Sequence, residues 1–236
     1  YYLIFSYNQF LMQKDLFKNT NKNKTKSYSA KDITVLEGLE PVRQRPGMYI
    51  GGVDENGLHH LASEVIDNAM DEVVEGSATV LEVHLTEGNT LRIKDNGRGI
   101  PIDKHPKFKN KSALEVILTT LHSGGKFNDK VYETSGGLHG VGISVVNALS
   151  DKFIVEVYRG GYKYFQSYKR GKPKNKLTKK PLKNIRGTLI EFHPDEQIFG
   201  KYNQFSPERL YFLCKSKAYL QNKVEIRWLC DSSYKL

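Results

Sequence analysis

The sequence has few of the residues that build disulfide frameworks or metal cages. Its 236 residues include two cysteines and seven histidines. Cys214 and Cys230 match no metal-ligand spacing, and the histidines are scattered apart from the adjacent His59 and His60. We therefore expect a reducing intracellular compartment rather than a secreted, disulfide-rich domain, and we expect no metal site made of protein side chains alone.

Long apolar runs are also missing. The opening stretch, YYLIFSYNQFLM, is apolar and aromatic for about a dozen residues, but it lacks a basic leader and a cleavage site and is too short to span a bilayer. Residues 14–26 that follow are rich in Lys and Asn, which is typical of a flexible arm. The sequence thus predicts a flexible extension over residues 1–27, within which Met12 could be the true initiator.

A glycine-rich stretch at residues 134–150, TSGGLHGVGISVVNALS, fits neither familiar glycine-loop template. Gly137 and Gly142 have the spacing of a phosphate loop, but no lysine follows Gly142. The dinucleotide fingerprint fails because Val145 stands where its third glycine should be. The stretch still predicts a loop that lets backbone approach a ligand, followed by a helix that begins near Val141.

The net charge of +10 is concentrated in one stretch without acidic residues. Residues 169–186, KRGKPKNKLTKKPLKNIR, hold nine lysines and arginines, so the remainder of the chain is close to neutral. Their Pro, Gly and Asn content predicts a loop. Two interpretations stay open: a solvated, lysine-rich insertion, and a loop that contacts DNA phosphates.

The most readable helix of the sequence runs over about residues 58–75 and ends at Gly76. At 100 degrees per residue its aliphatic side chains fill one arc, which predicts a buried face. The opposite arc is acidic or amide in character and holds Glu64, Asn68, Asp71, Glu72 and Glu75.

Two alternating segments, TVLEVHL and TLRIKD, predict a hairpin in which Asp95 ends an inward-facing apolar stripe. A carboxylate is rarely buried without a partner, so this position needs a donor. In the later segment GTLIEF, the Thr188 hydroxyl lies on an inward stripe and is a candidate for that donor. The turn NGRGIP after Asp95 lets backbone come close to whatever the carboxylate faces.

The remaining pattern predicts one α+β domain, a mainly antiparallel sheet covered on one face by helices, over residues 28–236. A short helix between Ser29 and Pro46 and another over residues 112–122 precede the glycine-rich stretch. Strands are predicted near FIVEVY, YKYFQSY, GTLIEF and VEIRWL, with a helix capped by Ser206 and begun by Pro207 between the last two.

One kind of nucleotide site needs the parts found so far. A buried carboxylate can accept from the adenine amino group, and glycine backbone can lie against purine and phosphates. An Asn oxygen can complete the ligand shell of Mg²⁺, and a Glu can orient and deprotonate an attacking water.

The order of EVIDNAMDE, DNGRGIP, LHSGGKF, SGGLHGVG and GTLIEFHP resembles the Bergerat (GHKL) ATPase fold of gyrase, heat-shock chaperones, histidine kinases and mismatch-repair ATPases. RPGMYIG together with SGGLHGVGISVVNALS narrows the resemblance to the ATPase subunit of bacterial type II DNA topoisomerases. The phrase HPKFKNKSALEVILTTLHSGGKF is more similar to the topoisomerase IV branch than to gyrase, which remains the alternative.

The resemblance implies a role for each residue on a matching position. Glu64 would be the general base, Asn68 would ligate Mg²⁺, and Glu72 would either form a supporting salt bridge or stay solvated. Asp95 would bind the adenine amino group directly and, through a water shared with Thr188, a ring nitrogen.

The resemblance also implies a pocket rim, a phosphate lid and a dimer arm. Gly99, Ile100 and Pro101 would line the rim, with Arg98 stacked at its mouth. Tyr28 and Ile33 match an arm that reaches over a partner subunit's nucleotide when two copies dimerise. Two groups of residues would hold the phosphates. The first is the pair Lys126 and Tyr132, and the second is the backbone of Leu138, His139, Gly140, Val141 and Gly142.

The cofactors implied are ATP and Mg²⁺. The partners implied are DNA, a DNA-cleavage subunit that forms a heterotetramer, a second copy of this domain and aminocoumarin-type inhibitors, without a membrane. The activity implied is ATP-dependent strand passage with decatenation and relaxation, or supercoiling in the gyrase alternative, in bacterial cytoplasm at the chromosome. In the family a lysine of a following domain reaches the terminal phosphate, so we expect weak hydrolysis from this chain alone.

Two other classes remain as alternatives. A nucleic-acid-binding module would use the basic stretch, show steep salt dependence and ignore ATP. A histidine-kinase-type domain would need a phosphoacceptor histidine segment before the ATP site, which the sequence lacks.

Overall fold

A computed structural model describes residues 29–33, 35–123 and 140–231 of the chain. Leu36–Leu236 forms one compact unit, and residues 29–33 belong to the other unit, Tyr1–Val35. Within that other unit, Ser29 precedes a short 3-10 turn over Ala30–Asp32, and its backbone N–H donates to Oδ2 of Asp32 at 2.7 Å.

The larger unit is built on a mixed sheet of eight strands. The described ranges contain ten strands, of which eight form this sheet and two form a small separate pair. They are β1 (Val80–Leu85), β2 (Leu91–Asp95), β3 (Lys104–His105), β4 (Phe108–Ser112), β5 (Ser150–Arg159), β6 (Tyr162–Lys169), β7 (Lys172–Pro173), β8 (Thr178–Pro181), β9 (Gly187–Pro194) and β10 (Glu225–Cys230). The order is β10-β1-β2-β9-β5-β6-β7, with β8 also paired to β6, while β3 and β4 pair with each other. β1 and β10 are parallel, and the other pairs are antiparallel.

Seven α-helices accompany the sheet in the described ranges. They are α1 (Glu40–Gln44), α2 (Gly47–Ile50), α3 (Glu55–Val74), α4 (Ala113–Thr119), α5 (Gly142–Ala148), α6 (Glu196–Phe199) and α7 (Pro207–Leu220). None of these is long and apolar enough to cross a membrane. The expected α+β class and mainly antiparallel sheet are confirmed.

The core lies between one face of the sheet and the helices. β1 and β2 alternate strictly between buried and partly exposed side chains, so each strand presents one face to the helices. Leu61, Ile66, Leu81 and Phe153 are among the fully buried members of a single hydrophobic cluster. The period-two pattern in the sequence predicted this arrangement correctly.

α3 is longer at its start than the sequence predicted, by about one turn. The side chain of Asp54 accepts a hydrogen bond from the backbone N–H of Gly57 at 3.0 Å, and this cap sets the beginning of the helix. Gly76, in the left-handed region at φ 68°, follows its end as predicted. Asp71, which the helical wheel placed on the polar arc, is buried.

His59 connects α3 to the start of α7. Its Nδ1 lies 2.8 Å from the carbonyl oxygen of Glu55, and the backbone N–H of Ser206 donates to its Nε2 at 2.9 Å. Burial lowers the pKa of His59, which suits a neutral ring with one donor and one acceptor. Ser206 in turn caps α7, with Pro207 as its first residue, as the sequence predicted.

Two local predictions differ from the structure. The helix expected between Ser29 and Pro46 is reduced to α1, and Gly47 begins the short helix α2 instead of ending a helix. The basic stretch of residues 169–186 is not simply a loop, because it contains β7 and β8. Backbone pairing with β6 overrides the local turn preference of its Pro, Gly and Asn residues.

Candidate functional site

Asp95 is a buried carboxylate held through one of its two oxygens. It ends β2 on the core-facing side, and 7% of its surface is exposed. The backbone N–H groups of Gly97 and Thr188 both donate to Oδ1, at 2.8 and 3.2 Å, and neither bond uses Oδ2. Burial raises the pKa of Asp95 to about 6 although both hydrogen bonds lower it.

Thr188 binds Asp95 through its backbone and not through the hydroxyl group that the sequence suggested as the donor. Its backbone N–H is the donor, whereas its hydroxyl oxygen accepts from the backbone N–H of Ile100 at 3.3 Å. β9 pairs with β2 up to Lys94 and Leu189, so Thr188 lies next to Asp95 at the end of the ladder. A hydroxyl contact mediated by water remains a prediction.

Glycines allow the backbone to pack closely around Asp95. Gly187 has φ 125°, and a side chain there would overlap the carbonyl oxygen of Asp95. A Cβ on Gly97 would lie 2.9 Å from Oδ1 of Asp95 and 2.9 Å from Oε2 of Glu72. The sequence predicted that Gly97 belongs to a turn that lets backbone come close, whereas no role was predicted for Gly187. The available signal was the position of Gly187 directly before Thr188.

Arg98 is fixed at the edge of this region by Glu72. Its Nε and Nη2 donate to Oε2 and Oε1 of Glu72 at 3.0 and 2.8 Å, and its backbone N–H donates to Oε2 at 3.1 Å. The Arg98 side chain is 38% exposed and that of Glu72 is 14% exposed. Of the two alternatives for Glu72, the structure therefore favours the supporting salt bridge.

Arg159 is a further rim residue, which no sequence pattern singled out. Its Nη1 donates to the carbonyl oxygens of Gly99 and Arg98 at 2.8 and 3.4 Å. Gly99 has φ 75°, and a side chain there would press on carbonyls of two neighbouring strands. Ile100 is partly buried and packs against the core, whereas Pro101 is exposed.

Glu64 and Asn68 lie one turn apart on α3, and the Glu64 carboxylate faces the beginning of α5. A side chain on Gly142, the first residue of α5, would overlap the Glu64 carboxylate. His60 Nε2 lies 3.3 Å from Oε1 of Glu64. The Asn68 amide nitrogen donates to the carbonyl oxygen of Glu64 at 2.7 Å, which orients the amide. The spacing of four residues that joins His60 to Glu64 was readable in the sequence but was not used.

The predicted phosphate lid is only partly described. α5 begins at Gly142 with Val141 as its N-cap, which confirms the predicted start, and Gly140 has φ 60°. Tyr28, Lys126, Tyr132, Leu138 and His139 lie outside the described residues. Across the ranges 29–33, 35–123 and 140–231, no group of three or more His, Cys, Asp or Glu side chains could hold a metal ion.

A buried Asp195 binds two arginines beside the far end of α5, where its backbone N–H donates to the carbonyl oxygen of Leu149 at 2.9 Å. Arg43 and Arg170 form ion pairs with its carboxylate at 2.7 and 2.8 Å, and Arg43 also donates to the carbonyl oxygen of Ala148 at 2.7 Å. Burial alone would raise the pKa of Asp195, but these partners lower it below its usual range. Through Arg43, the cluster ties α1 to the end of the glycine-rich stretch.

Comparison with known proteins identifies the family of this arrangement. The family described as "Histidine kinase-, DNA gyrase B-, and HSP90-like ATPase" matches residues 53–198. The B subunit of DNA topoisomerase 4 from Rickettsia bellii is 56% identical over 222 residues, covering 92% of this chain and 34% of that protein. The corresponding protein of Bartonella bacilliformis is 59% identical over 206 residues, covering 87% of this chain and 30% of the relative.

Gyrase proteins are similar as well. The B subunit of DNA gyrase from Treponema pallidum is 50% identical over 200 residues, covering 85% of this chain and 31% of that protein. The crystal structure of the 43K ATPase domain of Thermus thermophilus gyrase B in complex with an aminocoumarin matches with a TM-score of 0.74 and 40% identity. That match covers 84% of this chain and 50% of the gyrase chain. The chain spans about a third of the length of these curated relatives.

Proposed function

Because the chain belongs to the family of histidine kinase-, DNA gyrase B- and HSP90-like ATPases, we propose that it binds and hydrolyses ATP as part of a bacterial type II DNA topoisomerase. The energy of ATP binding and hydrolysis would drive passage of one DNA segment through another. Relatives named as the B subunit of topoisomerase 4 are 56–59% identical and a gyrase relative is 50% identical, which favours the topoisomerase IV branch, with decatenation and relaxation as its activities.

The observation that carries this proposal is the one-sided binding of Asp95. Two backbone donors occupy Oδ1, so the carboxylate is oriented by the protein before any ligand binds. A second carboxylate oxygen in a buried setting is a strong acceptor for an exocyclic amino group such as that of adenine. The Thr188 hydroxyl, already oriented by Ile100, would hold the water that completes recognition of the purine.

Glu64 is the residue we assign to the chemical step. Its side chain is 30% exposed and lies close to His60 and to the start of α5. A water molecule bound to Glu64 would therefore lie near the phosphates of an ATP bound at the glycine-rich stretch. A carboxylate in this place can accept the proton of an attacking water and orient its lone pair. Such an interaction acts mainly in the transition state, whereas Asp95 acts mainly in binding.

Asn68 is suited to coordinate Mg²⁺ through its side chain. Its amide nitrogen donates to the carbonyl oxygen of Glu64, which orients the amide, and its amide oxygen is of the hard-ligand type that Mg²⁺ prefers. With one protein ligand, the remaining ligands would be phosphate and water oxygens. Bound Mg²⁺ would neutralise phosphate charge, while the chain's own residues hold the purine and the water.

Several assigned contacts and partners rest on the family alone. We propose that Lys126, Tyr132, Leu138, His139, Gly140, Val141 and Gly142 hold the phosphates. Tyr28 and Ile33 would reach over the nucleotide of a second copy when ATP binds. DNA, a DNA-cleavage subunit in a heterotetramer, aminocoumarin-type inhibitors and a cytoplasmic, chromosome-associated location complete the proposal.

The experiment that tests the proposal uses two preparations. Binding of a non-hydrolysable ATP analogue with Mg²⁺ should raise the melting temperature of the 236-residue chain, because a ligand that binds the folded state stabilises it. The longer protein, assembled with its cleavage subunit, should decatenate DNA with ATP but not with the analogue. Absence of both effects would refute the proposal, and supercoiling in place of decatenation would assign the gyrase branch.

A further inference from the structure

The basic stretch of residues 169–186 forms an ordered edge of the main sheet. β7 and β8 both pair with β6, and the backbone N–H of Leu182 donates to the carbonyl oxygen of Gly161 at 2.9 Å. Arg186 donates to the carbonyl oxygen of Ser77 at 3.1 Å, which secures the end of the stretch. Its lysines are all exposed, and the six that follow β6 form what we name the basic edge: Lys172, Lys174, Lys176, Lys179, Lys180 and Lys183.

The rest of the solvent-facing side of the sheet is electrically balanced. Its acidic side chains lie between basic ones on neighbouring strands, so positive and negative charge alternate across the sheet. These ion pairs are Arg227–Glu82, Lys94–Glu82, Arg92–Glu191, Lys152–Glu191 and Lys163–Glu156, with N···O distances between 2.5 and 3.7 Å.

The basic edge is not balanced in this way. Among the described residues, the nine lysines and arginines of residues 169–186 make ion pairs only through Arg170, which binds Asp195. The strand register also places like charges opposite each other, with Lys172 across from Lys169 and Lys180 across from Lys163. Directly opposed like charges weaken a sheet. An anion bound along this edge would remove that repulsion.

The chemistry of the basic edge selects one class of polyanion. Residues 169–186 contain no aromatic side chain, and the nearby Tyr162 ring lies under Lys179, whose Nζ is 5.1 Å from the ring centroid. Single-stranded nucleic acid is usually bound by stacking bases on free aromatic rings. Lysine ammonium groups are instead suited to phosphates, and they read no base sequence.

The spacing of the lysines also fits a continuous line of phosphates. Lys172 lies on β7, and Lys179 and Lys180 lie on β8, where successive residues rise by roughly 3.3 Å along the strand. Duplex DNA carries one charge per roughly 1.7 Å of helix axis, so a row of lysines at this spacing meets phosphate throughout its length.

We propose that the basic edge binds the phosphate backbone of duplex DNA, independently of base sequence and of the nucleotide site. The inference deepens the proposed function by giving the ATP-binding part of the protein its own contact with DNA. It rests on the charges of the six basic-edge lysines, on β7, on β8, between them and after them, and not on Asp95 or Glu64.

The test compares two triple variants of the 236-residue chain that carry the same change in charge. One replaces basic-edge lysines, Lys174→Gln, Lys176→Gln and Lys180→Gln. The control replaces exposed lysines elsewhere, Lys201→Gln, Lys215→Gln and Lys223→Gln. Fluorescence anisotropy with a labelled DNA duplex would be measured from low to physiological salt, alongside the melting shift produced by the Mg-ATP analogue.

We expect the basic-edge variant to bind duplex DNA at least tenfold more weakly at low salt than the control. The slope of log affinity against log salt should fall by roughly 3 units, since each phosphate contact contributes about 0.9. The control should keep the slope of the unmodified chain. Equal losses in both variants, or none in either, would overturn the inference.

Two further outcomes separate this inference from its competitors. Binding of phosphatidylserine vesicles or single-stranded DNA as tightly as duplex DNA, with the same lysine dependence, would overturn the choice of partner. The melting shift with the ATP analogue should be the same in all three proteins. If the Mg-ATP analogue did not raise the melting temperature of the unmodified chain, the ATPase proposal would be contradicted. The DNA-binding inference would still be decided by the comparison of the two triple variants.

Discussion

The backbone N–H of Thr188 donates to Oδ1 of Asp95 at 3.2 Å, although 93 residues separate the two along the chain. The contact brings the end of β9 to the end of β2, and Gly187 makes the close approach possible. Since the side-chain carboxylate is held by backbone groups, its orientation depends on the fold of the sheet and not on the rotamers of neighbouring side chains.

Replacing Asp95 with Asn should weaken adenine nucleotide binding by roughly tenfold to a hundredfold. The amide either turns its NH₂ towards the donors of Gly97 and Thr188 or presents it to the adenine amino group, and a charge-assisted hydrogen bond of about 1.5–3 kcal/mol is lost. Calorimetry with the non-hydrolysable ATP analogue measures the effect. Asp67→Asn, on the side of α3 that pairs with Lys217, is the control and should bind normally. Normal binding by Asp95→Asn would remove Asp95 from adenine recognition.

The raised pKa of Asp95 makes stability depend on pH in a defined direction. Its pKa is about 6 in the folded chain and near the ordinary value of 3.8 in the unfolded chain. Between these values the folded state binds more protons, so the free energy of unfolding falls as pH rises through pH 4 to 6. Relative to Asp95→Asn, the unmodified chain should lose roughly 3 kcal/mol between pH 3.5 and 7. Urea denaturation of both proteins across this range measures the difference, and a flat difference would contradict the assignment.

Glu64→Ala should separate binding from turnover. The substitution removes the group proposed to orient and deprotonate water but leaves Asp95 untouched, so affinity for the ATP analogue should change by less than about threefold. ATP turnover by the longer protein should fall at least a hundredfold, the usual scale for loss of a general base. Coupled phosphate-release assays and calorimetry provide the two readouts. Turnover close to normal would show that another residue activates the water.

Gly187→Ala should destabilise the chain and damage the nucleotide site together. The new methyl group would overlap the carbonyl oxygen of Asp95 in a backbone conformation, φ 125°, that L residues avoid. We expect a loss of about 2–4 kcal/mol in the free energy of unfolding, measured by urea denaturation. Gly88→Ala is a matched control, because nothing lies within 4 Å of the position that its methyl group would take and its φ is not in the left-handed region. A loss of similar size in Gly88→Ala would refute this explanation.

Much of the site was visible in the sequence because its residues lie on regular elements. Helical periodicity placed Glu64, Asn68 and Glu72 on one face of α3, and strand alternation placed Asp95 inside the sheet. These inferences depend on periods of 3.6 and 2 residues, which are local properties of the backbone. The cap of α3 at Asp54 and the strands inside residues 169–186 were missed, because both depend on contacts that periodicity does not encode.

The sequence by itself determined the α+β class, the core-facing stripes, the family motifs and the concentration of positive charge in one stretch. Only the tertiary structure decided which donors reach Asp95, that Arg159 supports the rim at Gly99, and that the charged stretch pairs as strands along the sheet edge. The reason is physical. Local patterns fix which face of an element is buried, whereas hydrogen bonds between residues 60 or more positions apart exist only after strand order and register bring those residues together.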